Sequence, residues 1–373
     1  MKRLKGLPEV AFVALLGAAQ TITYVETALW PLQMLAMALL AWRIGRASAR
    51  RAAGLGLAYG TAWLGAGTWW LYISMHRYGG LPAWLTVLAV LALSLFLSLY
   101  LAAAMAATAR WSPPGPLLGA LVFASAWLLA ELARGLIFTG FPWLASGYAH
   151  VDSPLGGLAP WIGVYGVGAV AAGLAAAFGF SSLGRLRAWL APSTALLGAL
   201  VLGALAGSID FTQPTGVLRV TLLQGNVPQD EKFSVRYVPQ TLQLLTTQLE
   251  TARGDLVVGP ETVIPMLPSQ LDPKWWHAVL DRFHQPGRFA LLGMPLGNDD
   301  DGYTNSAVGL SAASAALPDG FYRYDKHHLV PFGEFIPTGF HWFTRLMNIP
   351  LGDFNRGPVT APSFVVKGER VAP

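Results

Sequence analysis

PAWLTVLAVLALSLFLSLYLAAAMAA (82–107) carries no charged residue and exceeds the roughly 20 apolar residues that a helix needs to cross a bilayer. Runs of similar character lie at 8–24, 27–43, 54–75, 117–139, 160–182 and 188–208, so the first half reads as about seven spans. The whole chain is 54% hydrophobic and 12% charged, with a mean hydropathy of +0.46, whereas soluble domains carry about 25% charged residues. The first run continues into a polytopic pattern without a small-residue cleavage site, which excludes a removed signal peptide. The net charge of +5 does not imply nucleic acid, because the basic residues of this half sit between apolar runs. The absence of cysteine excludes disulfides and thiolate metal sites within these residues.

Lys/Arg bias gives an orientation. Lys2, Arg3, Lys5, Arg43, Arg46, Arg50, Arg51, Arg110, Arg185 and Arg187 fall on one side, and only Arg77 and Arg134 on the other. The N-terminus is therefore expected in the cytoplasm, and seven spans deliver residue 210 to the opposite face. Glu131 and Arg134, three apart on one helical face, read as a self-neutralising pair that snorkels to the interface. The following loop, 139–160, holds GFPW (140–143) and Tyr148. Its aromatics fit either an interfacial belt or a hydrophobic gate over a lipid-fed site.

From about residue 216 charges and turn residues return, so the expected division is a helical membrane domain, 1–210, and an α/β domain, 216–373. Strands are expected at 216–229, 255–261 and 288–297, helices at 235–252 and 272–284, and a strand pair at 303–311 and 320–330. SFVVKGERVAP (363–373) begins another hairpin and stops, which reads as a C-terminal truncation.

Two segments carry chemistry. VVGPETVIP (257–265) sets Glu261 at the carboxyl end of an apolar strand, where α/β sheets place catalytic groups. Partial burial there is expected to raise its pKa toward that of a general base; the bland alternative is a solvated strand-end carboxylate. FYRYDKHHLVPFGEFIP (321–337) places Lys326 and Glu334 either side of a Pro/Gly bend. A lysine on the face of Tyr322 and Tyr324 needs an opposed carboxylate, Glu261 or Glu334, unless it guards a sheet edge. Two carboxylates and an ammonium suit a site in which a base activates a thiol and a cation stabilises an oxyanion. His327 and His328 point to opposite strand faces, and Asp299, Asp300 and Asp301 read as a solvated turn, so no metal is expected.

LQGNVPQ (223–229), VVGPETVIP (257–265) and YDKHHLVPFGEFIP (324–337), in this order behind seven apolar runs, together with FTGFPW (138–143) in the outer loop after the fifth run, resemble bacterial apolipoprotein N-acyltransferases over essentially the whole chain. The resemblance implies a membrane bundle followed by a nitrilase-like α-β-β-α sandwich, incomplete at its C-terminus. It implies Glu261 as general base, Lys326 as oxyanion stabiliser and Glu334 as a second essential carboxylate, with the nucleophilic cysteine expected beyond Pro373. Phe141, Trp143, Asn226 and Phe233 are assigned to substrate contact; Phe233 stands where the family tends to carry tryptophan. The implied partners are a phospholipid acyl donor, a diacylated apolipoprotein acceptor and the bilayer, with no cofactor. The implied place is the bacterial inner membrane, with the α/β domain extracytoplasmic. Without a thiol the chain as written is expected to be inactive. A membrane-tethered nitrilase-type amidase and a non-catalytic lipoprotein-binding homologue are the competing readings; a transporter is disfavoured by the few intramembrane charges and the absence of broken-helix pairs.

Overall fold

Apolar runs of this length fold as helices because, inside a bilayer, backbone N–H and C=O groups can pair only with one another. The computed structural model describes residues 6–181, 186–228, 231–331, 333–337 and 353–372. Of the positions named above, Lys2, Arg3, Lys5, Arg185, Gln229, Phe332 and Pro373 lie outside the described residues, as does residue 182 at the end of one expected span. The chain divides into Met1–Gln213 and Pro214–Pro373.

The first unit contains α1 (Leu7–Gln20), α2 (Trp30–Ile44), α3 (Ala49–Gly67), α4 (Trp70–Ile73), α5 (Ala83–Trp111), α6 (Pro116–Leu136), α7 (Ala159–Phe180) and α8 (Leu190–Ala206). Six helical stretches among the described residues are long and apolar enough to cross a membrane: Leu7–Tyr24, Thr27–Ile44, Ala83–Trp111, Pro116–Thr139, Pro154–Phe180 and Arg187–Ala206. The expected run 54–75 is not among them. α3 opens on Arg50 and Arg51, is diluted by glycine, and ends at Gly67 before the short α4. It nevertheless packs between α1 and α5. Gly17 permits that approach, since a Cβ there would collide with the Tyr59 carbonyl. Trp63 and Phe123 stack on Trp127 in the core of the bundle, and Tyr59 meets the Trp127 ring edge-on.

Glu131 and Arg134 correct the snorkelling expectation, for they are only 3% and 4% exposed. The loop after α6 folds back over them, and Glu131 finds its partners in that loop rather than in water.

The second unit contains β1 (Val220–Leu222), α9 (Val238–Thr251), β2 (Leu256–Val258), α10 (Pro273–Phe283), β3 (Phe289–Asn298), β4 (Gly302–Leu310), β5 (Tyr322–Asp325), β6 (Phe364–Val366) and β7 (Glu369–Val371). The strands form a five-stranded sheet in the order β1-β2-β3-β4-β5, and β6 and β7 form a separate hairpin. β1, β2 and β3 run parallel; β4 and β5 continue antiparallel. α10 begins where Asp272 accepts the N–H groups of Lys274 at 2.7 Å and Trp275 at 3.2 Å, a side-chain cap ahead of Pro273 at the first turn. Its Trp276, Val279 and Phe283 join Leu245 and Leu249 of α9 over Ala290, Leu292, Met294 and Val308. The opposite side of the sheet carries a smaller cluster, in which Leu256 and Tyr322 meet Phe364 and Val366 of the hairpin.

Candidate active site

Period-two geometry and register decide which side chains converge. Ala307 pairs with Tyr324 and Gly309 with Tyr322, so Asn305, two residues earlier on β4, shares their face. Lys326 follows β5 directly, and its N–H donates to the Asn305 carbonyl at 2.8 Å, which continues the ladder one step beyond the strand. Glu261 reaches the same place from β2. The turn Gly259–Thr262 lies against β3 at Gly293, where a Cβ would meet Pro260 O and Thr262 N at 2.6 Å and Glu261 Cα at 2.8 Å. Only a glycine admits this turn, and Thr262 adopts φ 52° within it.

The Lys326 Nζ donates to Glu334 Oε1 at 3.0 Å and to Glu261 Oε1 at 3.3 Å. Glu334 is buried, and its Oε2 accepts the Val330 N–H at 2.7 Å. That bond closes the Pro/Gly bend on itself, since the Glu334 N–H donates back to the Val330 carbonyl at 2.9 Å. Sequence reasoning missed Asn305. Its Nδ2 donates to Glu334 Oε1 at 2.5 Å and also to Glu261 Oε1, one hydrogen to each carboxylate. The available signal was the polar run Thr304-Asn305-Ser306 within an otherwise apolar strand. Ser306 and Thr304 point to the other face, where both bond Asp325; Asn305 alone of the three faces Lys326.

Electrostatics correct one expectation. Burial does push the Glu261 pKa up, but the Asn305 amide and the Lys326 ammonium outweigh it and hold the carboxyl below its ordinary 4.5. Burial pushes Lys326 down, but Glu334 and Glu261 pull harder, so its pKa rises above the ordinary 10.5. Lys326 thus sits between Glu261 and Glu334, with Glu261 on the open side: its side chain is 61% exposed against 10% for Glu334. Lys232 approaches from the loop after β1 and donates to the Glu261 carbonyl at 3.0 Å; burial lowers its pKa against the pull of Glu261.

Of the other sequence candidates, two lie in the second unit and two in the first. Phe233 is exposed and lies beside Lys232, whose Nζ is 5.7 Å from its ring centroid. Asn226 is exposed at φ 48° and accepts from the Gln224 amide. Phe141 and Trp143 belong to the first unit, where Trp143 packs on Trp70 with ring centroids 5.2 Å apart. His327 is bonded to the Gly357 carbonyl at 2.7 Å, and Asn298 receives the N–H groups of Asp300 and Asp301 in the acidic turn.

An ammonium flanked by two carboxyl groups at the strand ends of a mixed sheet, in a chain that also carries helices long and apolar enough to cross a membrane, defines a multi-pass membrane protein with a candidate acid–base site. Residues 16–177 match the family model "Apolipoprotein N-acyltransferase N-terminal domain". The chain is 49% identical over 361 residues to the apolipoprotein N-acyltransferase of Verminephrobacter eiseniae, covering 92% of this chain and 67% of that protein. It is 45% identical over 365 residues to that of Ralstonia nicotianae (96% and 69% covered) and 35% identical over 368 residues to that of Pseudomonas putida (96% and 71% covered). The chain belongs to the apolipoprotein N-acyltransferase family.

Proposed function

We propose that this chain supplies the membrane bundle and the acid–base half of an enzyme that N-acylates lipoproteins, with phospholipid as acyl donor and a thiol as nucleophile. The observation that carries the reading is the placement of Lys326 between Glu261 and Glu334. Glu261 takes the proton from the thiol, and the thiolate attacks the ester carbonyl of the phospholipid. Lys326 meets the oxyanion. Collapse expels the lysophospholipid, whose alkoxide leaves with the proton held by Glu261. The α-amine of a diacylglyceryl-cysteine then attacks the thioester, forms the amide and returns the thiol.

The depressed pKa of Glu261 belongs to this sequence of events. The cation that weakens the base in the resting site is the one drawn toward the developing oxyanion, so Glu261 gains basicity as the substrate engages Lys326. Glu334, buried and bonded on both oxygens, holds the lysine while its other partner changes.

The fold of the second unit is read as part of a nitrilase-like sandwich, because one sheet face carries α9 and α10 and the other meets the β6–β7 hairpin. α3 is read as a seventh crossing, since Leu55, Tyr59 and Trp63 are buried in the bundle core. With seven crossings and the basic residues at the cytoplasmic ends, the catalytic residues work outside the cytoplasm of the inner membrane. The reading requires a thiol that these 373 residues do not contain. A radiolabelled phospholipid presented to this chain in nanodiscs should leave no hydroxylamine-sensitive protein label. Such a label would overturn the mechanism.

A further inference from the structure

Residues 138–146 follow α6 with Phe138, Thr139, Gly140 and Leu144 all at positive φ, between 55° and 82°. For a β-branched threonine and a leucine this is an uncommon conformation, which persists only where surrounding bonds fix it. Glu131 and Arg134 supply those bonds. Glu131 Oε1 accepts the Ser146 N–H at 2.7 Å and its Oε2 accepts the Ser146 hydroxyl at 3.0 Å. Arg134 Nη1 donates to the Trp143 carbonyl at 2.5 Å. The two charged groups therefore grip the backbone on either side of Leu144, the last strained residue. Their mutual separation is 3.6 Å, too long for a hydrogen bond, and among the described residues Arg134 Nη2 has no hydrogen-bond partner. Their hydrogen bonds thus go to the loop rather than to each other.

The grip is reinforced by three more donors in the bundle. Tyr24 donates to the Leu144 carbonyl at 3.1 Å, Gln33 to the Ser146 carbonyl at 3.2 Å, and Trp127 to the Ser146 hydroxyl at 3.1 Å. Two aromatic side chains carried by this fixed backbone are exposed, Phe138 at 77% and Trp143 at 56%, while Leu144 and Ala145 face the bundle. Buried charged groups bonded to a backbone that exposes Phe138 and Trp143 make sense where these two aromatics must be presented in one arrangement.

We propose that Glu131 and Arg134 are positioning residues that hold the 138–146 loop so that Trp143 and its neighbours form a ready-made wall for the acyl chains of the lipoprotein acceptor. This rests on the function proposed above. Because the chain has no native cysteine, a single nitroxide can be placed at the exposed loop position with Pro142→Cys, and another at the lipid-exposed Leu99→Cys as control. In nanodiscs the loop label should be immobile in the parent. It should become mobile in Glu131→Gln and Arg134→Lys, and to a lesser degree in Tyr24→Phe, which removes one bond, while the Leu99 label stays unchanged. A fluorescent diacylglyceryl-cysteinyl peptide should bind about tenfold more weakly to the first two variants. An unchanged loop signal overturns the clamp. A loosened loop with unchanged peptide affinity overturns its role toward the acceptor. A parent chain that fails to bind the peptide defeats the functional reading, while the nitroxide signal still decides the clamp.

Discussion

Replacing Lys326 with methionine keeps most of the side-chain volume and deletes the ammonium, leaving Glu334 buried with a charge that has lost its counter-ion. The separation is 3.0 Å, worth roughly 5 kcal/mol between unit charges at an effective dielectric of about 20. Stranding one member of a buried pair costs about 3–5 kcal/mol in measured cases. Two features lower the figure here: Lys326 is 29% exposed, so water can enter, and Glu334 retains the Asn305 and Val330 donors. The expected loss is about 2–3 kcal/mol in the Pro214–Pro373 unit. Hydrogen exchange of the β3–β4 amides, read by mass spectrometry in detergent, should then accelerate roughly 30- to 150-fold, at tenfold per 1.4 kcal/mol. The double variant Lys326→Met/Glu334→Gln should recover about half of that loss, because removing the stranded charge removes its desolvation cost. Exchange in Lys326→Met within threefold of the parent, or a double variant less stable than the single, would refute the account of Glu334 as a buried carboxylate held by this lysine.

Gly293→Ala places a methyl group within 2.6 Å of two backbone atoms of the Glu261 turn. About 1–3 kcal/mol of destabilisation is expected, with exchange rising first at the Ile264 amide, which donates to the Gly293 carbonyl at 3.1 Å; a silent substitution would mean the turn is not pressed against β3. Asn305→Leu removes the hydrogen bond that most lowers the Glu261 pKa, so the pH of half-protonation should rise in an infrared carboxyl titration referenced to Glu261→Gln. In the parent, the stability from the depressed Glu261 is present above 4.5 and is lost as pH falls through the still lower folded value. In Asn305→Leu that contribution is smaller and its loss is complete at higher pH, and an unshifted titration would remove Asn305 from the cluster. His150, outside the spans, is fully buried, and burial lowers its pKa from 6.5 to about 4. Its Nε2 donates to Gln33 Oε1 at 3.0 Å in the neutral ring, the Gln33 amide being directed to Ser146 and Tyr24. Because the unfolded state takes up its proton first, the bundle should lose about 3 kcal/mol between pH 6.5 and 4, a loss absent from His150→Gln in denaturation measured across that range.

The parts legible in the sequence are those whose cause lies within one segment. The span 82–107 is a helix because nothing in it can leave the backbone unpaired, and α10 announces itself through Asp272-Pro273 and the spacing of Trp276, Val279 and Phe283. That Lys326 calls for a carboxylate follows from its place on an apolar sheet face, with Glu261 and Glu334 left as alternatives. What depends on two segments meeting was not legible. Glu131 and Arg134 look like a self-contained i, i+3 pair until the 138–146 loop folds onto them, because their partners are backbone groups that no residue code advertises. The sign of the Glu261 pKa shift was misjudged for the same reason. Burial can be guessed from a single strand, whereas the opposing terms come from Lys326 on β5's extension and Asn305 on β4. Asn305 gathers both lessons in one residue: an amide amid apolar neighbours has a local cost, and its reason is visible only when β4 carries it between two carboxylates. A buried amide in a strand next to a predicted acid–base pair is therefore a site residue until its hydrogens are shown to go elsewhere.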